Sequence, residues 1–552
     1  MKNWMKMIAL LLAVMVLLTG CGLLEGLSQE LQSTLIPLPG TEDHAPPDGE
    51  DYPSFAEMEY VRPNMKNFEV FTNSVLRSAE TETDVKLLMA VVNDFFDAYQ
   101  WFYTYYSLAD IHYCIDMTDP YWQEEYNYCL EQSATVDAAR EEILYALADS
   151  PLREELENDE YFGTDYFDAY DGESIYDETF VGLLNEESAI LNRYYQISAD
   201  AAAVTLGSEE YYTVYGTQLA DILVELIRVR QELASYCGYD SYPAFAYDFY
   251  HGRDFTPAQA QSYMLAVGEE LSDMYRQVNT TFDWSVLSGI CSEADTFAYV
   301  KKAANAMGGD IADGFWYLEE DGLYHISPGQ NKYNSSFEVY LSCYEQGFIF
   351  MNPVQDDSDK LTFAHEFGHY MSDFYTWGSE AGTDVLEIQS QAMEYLSLVY
   401  AEADQALVNY KLVNCLCTYV EQSAYALFEQ QMYDLEGENL TVENLQALYE
   451  EIGTDFGFDS WVWDSRDFVT VPHFYSYPMY IISYVVSNDL AFQIYQQELE
   501  TPGAGLETYN AVLYSDQWSV IEVAKLHEMA NPLDSARLQD VKNILRTVVE
   551  GK

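Results

Sequence analysis

The stretch Leu361-Thr-Phe-Ala-His-Glu-Phe-Gly-His-Tyr370 holds the residues whose types and spacing could do chemistry. Within it, His365-Glu366-Phe367-Gly368-His369 is a His-Glu-x-x-His pattern, in which one helix face offers two metal ligands and a base. Residues four apart on an α-helix lie one above the other, so His365 and His369 converge on one point. Neutral imidazoles suit a borderline-soft dication such as Zn²⁺. Glu366 sits beside that face, where its carboxylate can take a proton from water rather than bind the ion. Phe363, Phe367 and Met371 complete an apolar helix, and Gly368 leaves room for a neighbour to pack closely. A plain core helix could carry the same letters by coincidence. With eight histidines in 552 residues that is uncommon, and it also requires that no third ligand be at hand.

A third ligand is at hand. Asp384 to Leu396 is mostly apolar and reads as a buried helix, with Glu387, Gln391 and Glu394 at i, i+4 and i+7 as its polar stripe. A buried carboxylate needs a partner, and a metal on His365 and His369 would be one. Glu387 is the expected third ligand, completing a His₂Glu set, and Glu394 is the other candidate. Glu394 reads better as the acid that orients a ligand histidine through its second ring nitrogen, or else as a solvated helix acid.

These residues bring a resemblance with them. Thr362-Phe-Ala-His-Glu-Phe-Gly-His369, Asp384-Val-Leu-Glu387-Ile-Gln-Ser390 and Met393-Glu-Tyr-Leu396 together resemble the M3 oligoendopeptidases, the oligoendopeptidase F group in particular. Arg228 to Pro243 and Gly252-Arg-Asp-Phe-Thr-Pro257 are similar to the segment ahead of that family's catalytic domain. Pro472-His473-Phe-Tyr-Ser-Tyr477-Pro-Met-Tyr480-Ile-Ile-Ser-Tyr484 resembles its substrate-binding tyrosine region. The likeness runs over roughly residues 180 to 545, and its specific part is the pair of metal helices. Two features depart from the family. Only 17 residues separate His369 from Glu387, and the tyrosine region carries one extra residue after His473. The second departure leaves the individual tyrosine assignments open.

The resemblance implies a mainly α fold: a large, two-lobed helical metallopeptidase with a deep substrate channel and a small β-sheet next to the zinc helix. It implies one Zn²⁺ per chain on His365, His369 and Glu387, Glu366 as base, and cleavage of internal bonds in short peptides. It also implies Tyr480 and His473 as donors to the oxyanion, with Tyr477 and Tyr484 lining the site; the competing reading of this group is aromatic core. Two rival functions remain: a metallocarboxypeptidase on a related helical scaffold, and a lipoprotein that binds peptide without cutting it. An intact Glu366 speaks against the second, because binding alone needs no base.

The elements that must position these residues follow in chain order. Residues 1–21 begin with Lys2 and Lys6, continue in an apolar run to Leu18 and end in Leu18-Thr-Gly-Cys21. That is the form of a secretory signal, and its ending resembles a bacterial lipobox with Cys21 as the lipidated residue. The expected location is extracytoplasmic, with membrane contact only through a lipid on Cys21. Residues 22–54 contain Pro37, Pro39, Pro46 and Pro47 among small and acidic residues and read as a tether. Residues 55–205 read as an N-terminal helical domain, with Val85–Leu108 and Phe180–Ile197 its clearest amphipathic runs and 159–177 irregular. Residues 206–552 read as the catalytic domain. There Leu219–Tyr236 is helical, and Thr256-Pro257 opens the next helix. The period changes between Gly314 and Val354, where 324–327, 336–341 and 347–352 look like short strands. Helices resume near Ser358 and run to Val549.

A formal net charge of −69 argues against nucleic acid and against adhesion to anionic lipid. The chain is expected to be a monomer. Seven cysteines remain beside Cys21, without metal-knuckle spacing, and read as buried thiols rather than a disulfide framework. His251 and His325 read as structural.

Overall fold

The computed structural model describes residues 53–549, apart from 159–160, 172–176, 202–203, 288, 377–380, 460–461 and 516. The proposed signal, the lipid site Cys21 and nearly all of the tether therefore lie outside the described residues. No described helix is long and apolar enough to cross a membrane.

The fold is mainly helical. In the N-terminal part, α1 (Met65–Thr81), α2 (Val85–Ile115) and α3 (Pro120–Ala148) pack together. Each begins where an Asn or Asp side chain accepts a backbone N–H of the first turn: Asn64, Asp84 and Asp119. Their buried faces, with Phe68, Val92, Phe95, Tyr106, Ile143 and Leu144, form a core of their own. Helix α4 (Glu178–Ala201) packs instead on α5 (Thr217–Tyr236), and its Ile190, Tyr194 and Ala201 join the larger core that contains the rest of the chain.

Helix α6 (Pro257–Thr281) starts as its sequence predicts. Thr256 and Gln259 cap each other reciprocally, and Pro257 occupies the first turn. Two more helices follow, α7 (Glu293–Met307) and α8 (Gly309–Glu320). Helix α8 corrects the expected boundary of the β region: Gly314 lies inside it, and the change of period begins only after Glu320. The glycine is there for contact, since a Cβ at that position would stand 2.5 Å from Met371 Sδ.

Three strands follow: β1 (Tyr324–His325), β2 (Ser336–Leu341) and β3 (Gln346–Met351). Their order is β1-β3-β2, with β1 parallel and β2 antiparallel to β3. Ser336 pairs with Met351 and Leu341 with Gln346, so β2 forms one edge of this small sheet. Lys332 fastens one end of it, donating to the carbonyls of Ser327 and Met351 at 2.7 and 2.6 Å. Beneath β2 and β3 runs α9 (Asp359–Thr376), and against α9 lies α10 (Thr383–Tyr400), buried along nearly its whole length. Helices α11 (Gln405–Cys417), which touches α10, α12 (Ser423–Met432) and α13 (Val442–Asp455) follow; then come α14 (Ile481–Glu500), α15 (Ala504–Leu513) and α16 (Ser535–Val549). Of these, α14 packs most extensively on α10. The seven described cysteines are all unpaired thiols.

Candidate metal centre

Helix α9 carries His365, Glu366 and His369 on a turn that is buried all round. Its close contact with α10 depends on Gly368. A Cβ there would stand 2.6 Å from the Ser390 Cα and 2.8 Å from the Gln389 carbonyl oxygen, both backbone atoms. The absent side chain lets the two helices cross closely enough for Glu387 to reach the histidines. His365 Nε2 lies 3.6 Å and His369 Nε2 3.9 Å from the two Glu387 carboxylate oxygens. One ligand atom from each of the three residues falls within 4.8 Å of the others.

These separations are too long for hydrogen bonds, which need about 2.7–3.2 Å. They approach the ligand-to-ligand edge of a tetrahedral site with bonds of 2.0–2.1 Å, about 3.3 Å. His365 Nε2 is buried and has no hydrogen-bond partner. Two imidazole nitrogens and a carboxylate thus face one point with their lone pairs, and the residues fit a zinc ion.

The electrostatics fit as well. Burial is the largest influence on His365 and opposes its charge. The Glu394 hydrogen bond and the fields of Glu387, Glu394 and Glu366 outweigh it and push the imidazole up to about 9. Burial, with His365 beside it, drives His369 well below its ordinary value and keeps it neutral. Burial likewise pushes Glu366 up to about 8 and raises Glu387. A dication supplies the positive charge this group of buried acids lacks and acts against those rises.

Glu394 is not a solvated helix acid. It is buried and stands on the far ring nitrogen of His365, with Nδ1 3.0 Å from its Oε1. Its other oxygen accepts from Lys411 Nζ at 2.7 Å. Burial works against its charge, but Lys411 and His365 hold the carboxyl below its ordinary range. An ionised Glu394 makes His365 Nδ1 the donor, so that Nε2 is the atom from which a dication would displace the second proton to gain a ligand. Sequence reading missed Lys411; its one signal was a lone cation in the otherwise uncharged run 405–417. A small open cavity adjoins His365, with Gln391, Glu394, Tyr410, Lys411 and Tyr484 in its lining.

The aromatic group reaches the same place from α14 and the turn before it. Tyr480 donates its hydroxyl to Glu387 Oε1 at 2.7 Å, and Ser390 donates to Oε2 at 3.1 Å. His473 Nε2 lies 3.1 Å from the Tyr484 hydroxyl, and burial lowers the ring to about 3, so it is a neutral imidazole. The His473 ring centroid is 5.7 Å from each of the Tyr477, Tyr480 and Tyr484 rings. Tyr477 is half-buried, whereas Tyr475 belongs to the core, stacked on Tyr194 at 4.2 Å. His325 faces Lys332 Nζ at 3.0 Å, away from this group, while His251 lies closer to it, with Nε2 on the Pro478 carbonyl at 3.0 Å. Arg253, Asp384, Glu429 and Ser483 also bear on this region; all but Glu429 fall in segments that resemble the family, and sequence reading gave none of the four a role.

A helical fold with a small sheet over a buried His₂Glu cluster and an adjoining glutamate defines the class as a metallopeptidase. The sequence pattern of the peptidase M3 N-terminal domain matches residues 55–173, and that of peptidase family M3 matches residues 321–515. Together they cover more than half of the chain, which belongs to the M3 peptidase family. The first match carries the likeness into N-terminal helices where sequence reading found no recognisable chemistry. Oligopeptidase PepF of Bacillus subtilis (strain 168) is 27% identical over 180 residues, 29% of this chain and 27% of that relative's length. The fold is that of oligoendopeptidase F. One such structure gives a TM-score of 0.76 at 17% identity, covering 91% of this chain and 99% of its own. Another, from Bacillus anthracis strain Ames, gives 0.74 at 18% identity over 91% and 99%. PZ peptidase A, solved with an inhibitor, gives 0.76 at 17% identity over 90% and 99%.

Proposed function

We propose that the chain is a zinc-dependent oligoendopeptidase that hydrolyses internal bonds of short peptides. The observation that supports this reading is the buried convergence of His365, His369 and Glu387, with a Glu366 carboxylate oxygen beside them that has no partner. His365 Nε2, His369 Nε2 and a Glu387 oxygen would hold Zn²⁺ and leave a position open, as in His₂Glu catalytic sites. When bound, the ion supplies Lewis acidity, polarising a carbonyl and acidifying water.

The chain's own residues do the rest. Glu366 takes the proton of the attacking water on its free carboxylate oxygen and passes it to the departing amine nitrogen. Tyr480, one hydrogen bond from Glu387, turns its hydroxyl to the scissile carbonyl oxygen as negative charge grows there. Neutral His473 contributes an N–H rather than a charge, and Tyr477 and Tyr484 line the peptide's path. Strand β2, at the sheet edge above α9, would hold an extended substrate by main-chain hydrogen bonds.

The test is digestion of a mixture of C-terminally amidated peptides, with and without chelator, mapped by mass spectrometry. Chelator-sensitive internal cuts are expected. Trimming confined to free-acid counterparts of these peptides would favour the carboxypeptidase reading, and peptide that is retained but intact in both forms the binding protein. We infer also that Leu18-Thr-Gly-Cys21 directs export and lipid attachment at Cys21. Metabolic labelling with an alkynyl fatty acid should mark the wild type and not Cys21→Ser; equal labelling of both would reject the anchor.

A further inference from the structure

We propose that Arg253, acting with Asp384, is the positioning group that sets Tyr480 over the metal centre. The proposal rests on the peptidase reading only for its catalytic consequence.

The chain enters Tyr480 through Pro478-Met479, and Met479 has φ +65°, a left-handed conformation that a residue with a Cβ holds only when its surroundings impose it. Both backbone polar groups of Met479 are claimed from elsewhere. Its N–H donates to Glu429 Oε1 at 2.7 Å, and its carbonyl accepts from Arg253 Nη1 at 2.8 Å. One residue earlier, the Pro478 carbonyl accepts from His251 Nε2 at 3.0 Å. The turn is therefore held by α12 on one side and by the loop ahead of α6 on the other.

Arg253 then extends this hold to the metal helix. Its Nε lies 3.1 Å from Asp384 Oδ2, and its Nη2 lies 3.1 Å from Oδ1 and 2.8 Å from Ser483 Oγ. Ser483 itself donates to Asp384. The Arg253 side chain is 0% exposed, and its guanidinium lies over the Tyr247 ring, 4.4 Å from the centroid. Asp384 precedes Glu387 by about one turn on α10, and Tyr480 precedes Ser483 by about one turn at the start of α14. The two helices are thus joined by two adjacent rungs, Ser483 on Asp384 and Tyr480 on Glu387. One rung cannot slip without the other. A guanidinium fork serves carboxylate, hydroxyl and carbonyl at once, which a single ammonium does not. A buried ion pair is weak evidence for stability, since its desolvation offsets its attraction, and its better-attested use is fixing one arrangement among several.

Arg253→Lys keeps the charge beside Asp384 and loses the fork. Two readouts test the proposal. In the first, 3-fluorotyrosine at position 480 reports its surroundings by fluorine NMR, whether or not the protein cuts peptides. The resonance should move in Arg253→Lys with zinc still at one per chain, and an unmoved resonance would overturn the proposal. The second is a kinetic cycle with Tyr480→Phe. Arg253→Lys should lower kcat about 10- to 100-fold, with KM within about threefold, in the wild-type background, and have little effect on kcat in Tyr480→Phe. Equal losses in both backgrounds would show a merely structural role and overturn it. A shifted resonance in a protein whose wild type cuts nothing would sink the peptidase reading and support the positioning. If Arg253→Lys does not fold, the near-isosteric Asp384→Asn takes its place in both measurements.

Discussion

The two walls of the site are built in different ways. The metal wall is a crossing of two regular helices, α9 and α10, in which the helical period alone stacks His365 on His369 and Gly368 sets the approach. The tyrosine wall is a broken segment: one helical turn at His473–Ser476, a left-handed Met479, then α14. Its shape comes from distant groups. Arg230 of α5 donates to the carbonyls of Phe474, at 2.9 Å, and Tyr475, while Arg253 and Glu429 hold Met479. Chemistry that needs only a repeat can be carried by one helix. Chemistry that needs a hydroxyl at an irregular turn needs tethers from other parts of the chain.

The predictions press on that contrast, from the largest expected effect on turnover to the smallest. Glu366→Gln should retain zinc and lose roughly 10³-fold in kcat/KM, and an active, zinc-loaded variant would remove Glu366 from its role. Tyr480→Phe should lower kcat by about 10²-fold with bound zinc unchanged; a loss confined to KM would make the hydroxyl a binding group instead. Lys411→Met leaves Glu394 without its cation and should weaken zinc binding about 10- to 100-fold by chelator competition, with turnover at saturating zinc largely kept. Unchanged affinity would separate Lys411 from the metal wall.

The last prediction concerns stability in the tyrosine wall. Burial pushes Glu429 up to about 8, outweighing the Met479 N–H and the charges of Arg230 and Arg253. The folded state therefore holds this proton more tightly than the unfolded chain, whose glutamate titrates near 4.5. That contribution to stability is present below pH 4.5 and is lost as the pH rises towards 8. Glu429→Gln has no such proton, so wild type should lose thermal stability relative to the variant between pH 5 and 8. A difference in Tm that does not change with pH would contradict this.

The same contrast decided what the sequence revealed. His365, Glu366, His369 and Glu387 were legible because their offsets are helix offsets, and Gly368 because a small residue on a buried face marks a close approach. The cap at Thr256 and the strands at 336–341 and, one residue out of place, 347–352 were marked by local composition. The start of the β region was set too early because Gly314 serves a contact with Met371 and does not break α8. Arg253 and Arg230 lie in segments that resemble the family, but their roles left no local trace, because those roles lie in carbonyls more than 220 residues away in the chain. Glu394 could be assigned a role from its helix, but its partner Lys411 lies on a different one.

The most direct measurement is anomalous diffraction at the zinc absorption edge from crystals grown with the metal. The account predicts a single strong peak within bonding distance of His365 Nε2, His369 Nε2 and a Glu387 carboxylate oxygen, with the Glu366 carboxylate beside it and unbonded. A peak bound by Glu394 or Glu366 in place of Glu387, or no peak between α9 and α10, would contradict it.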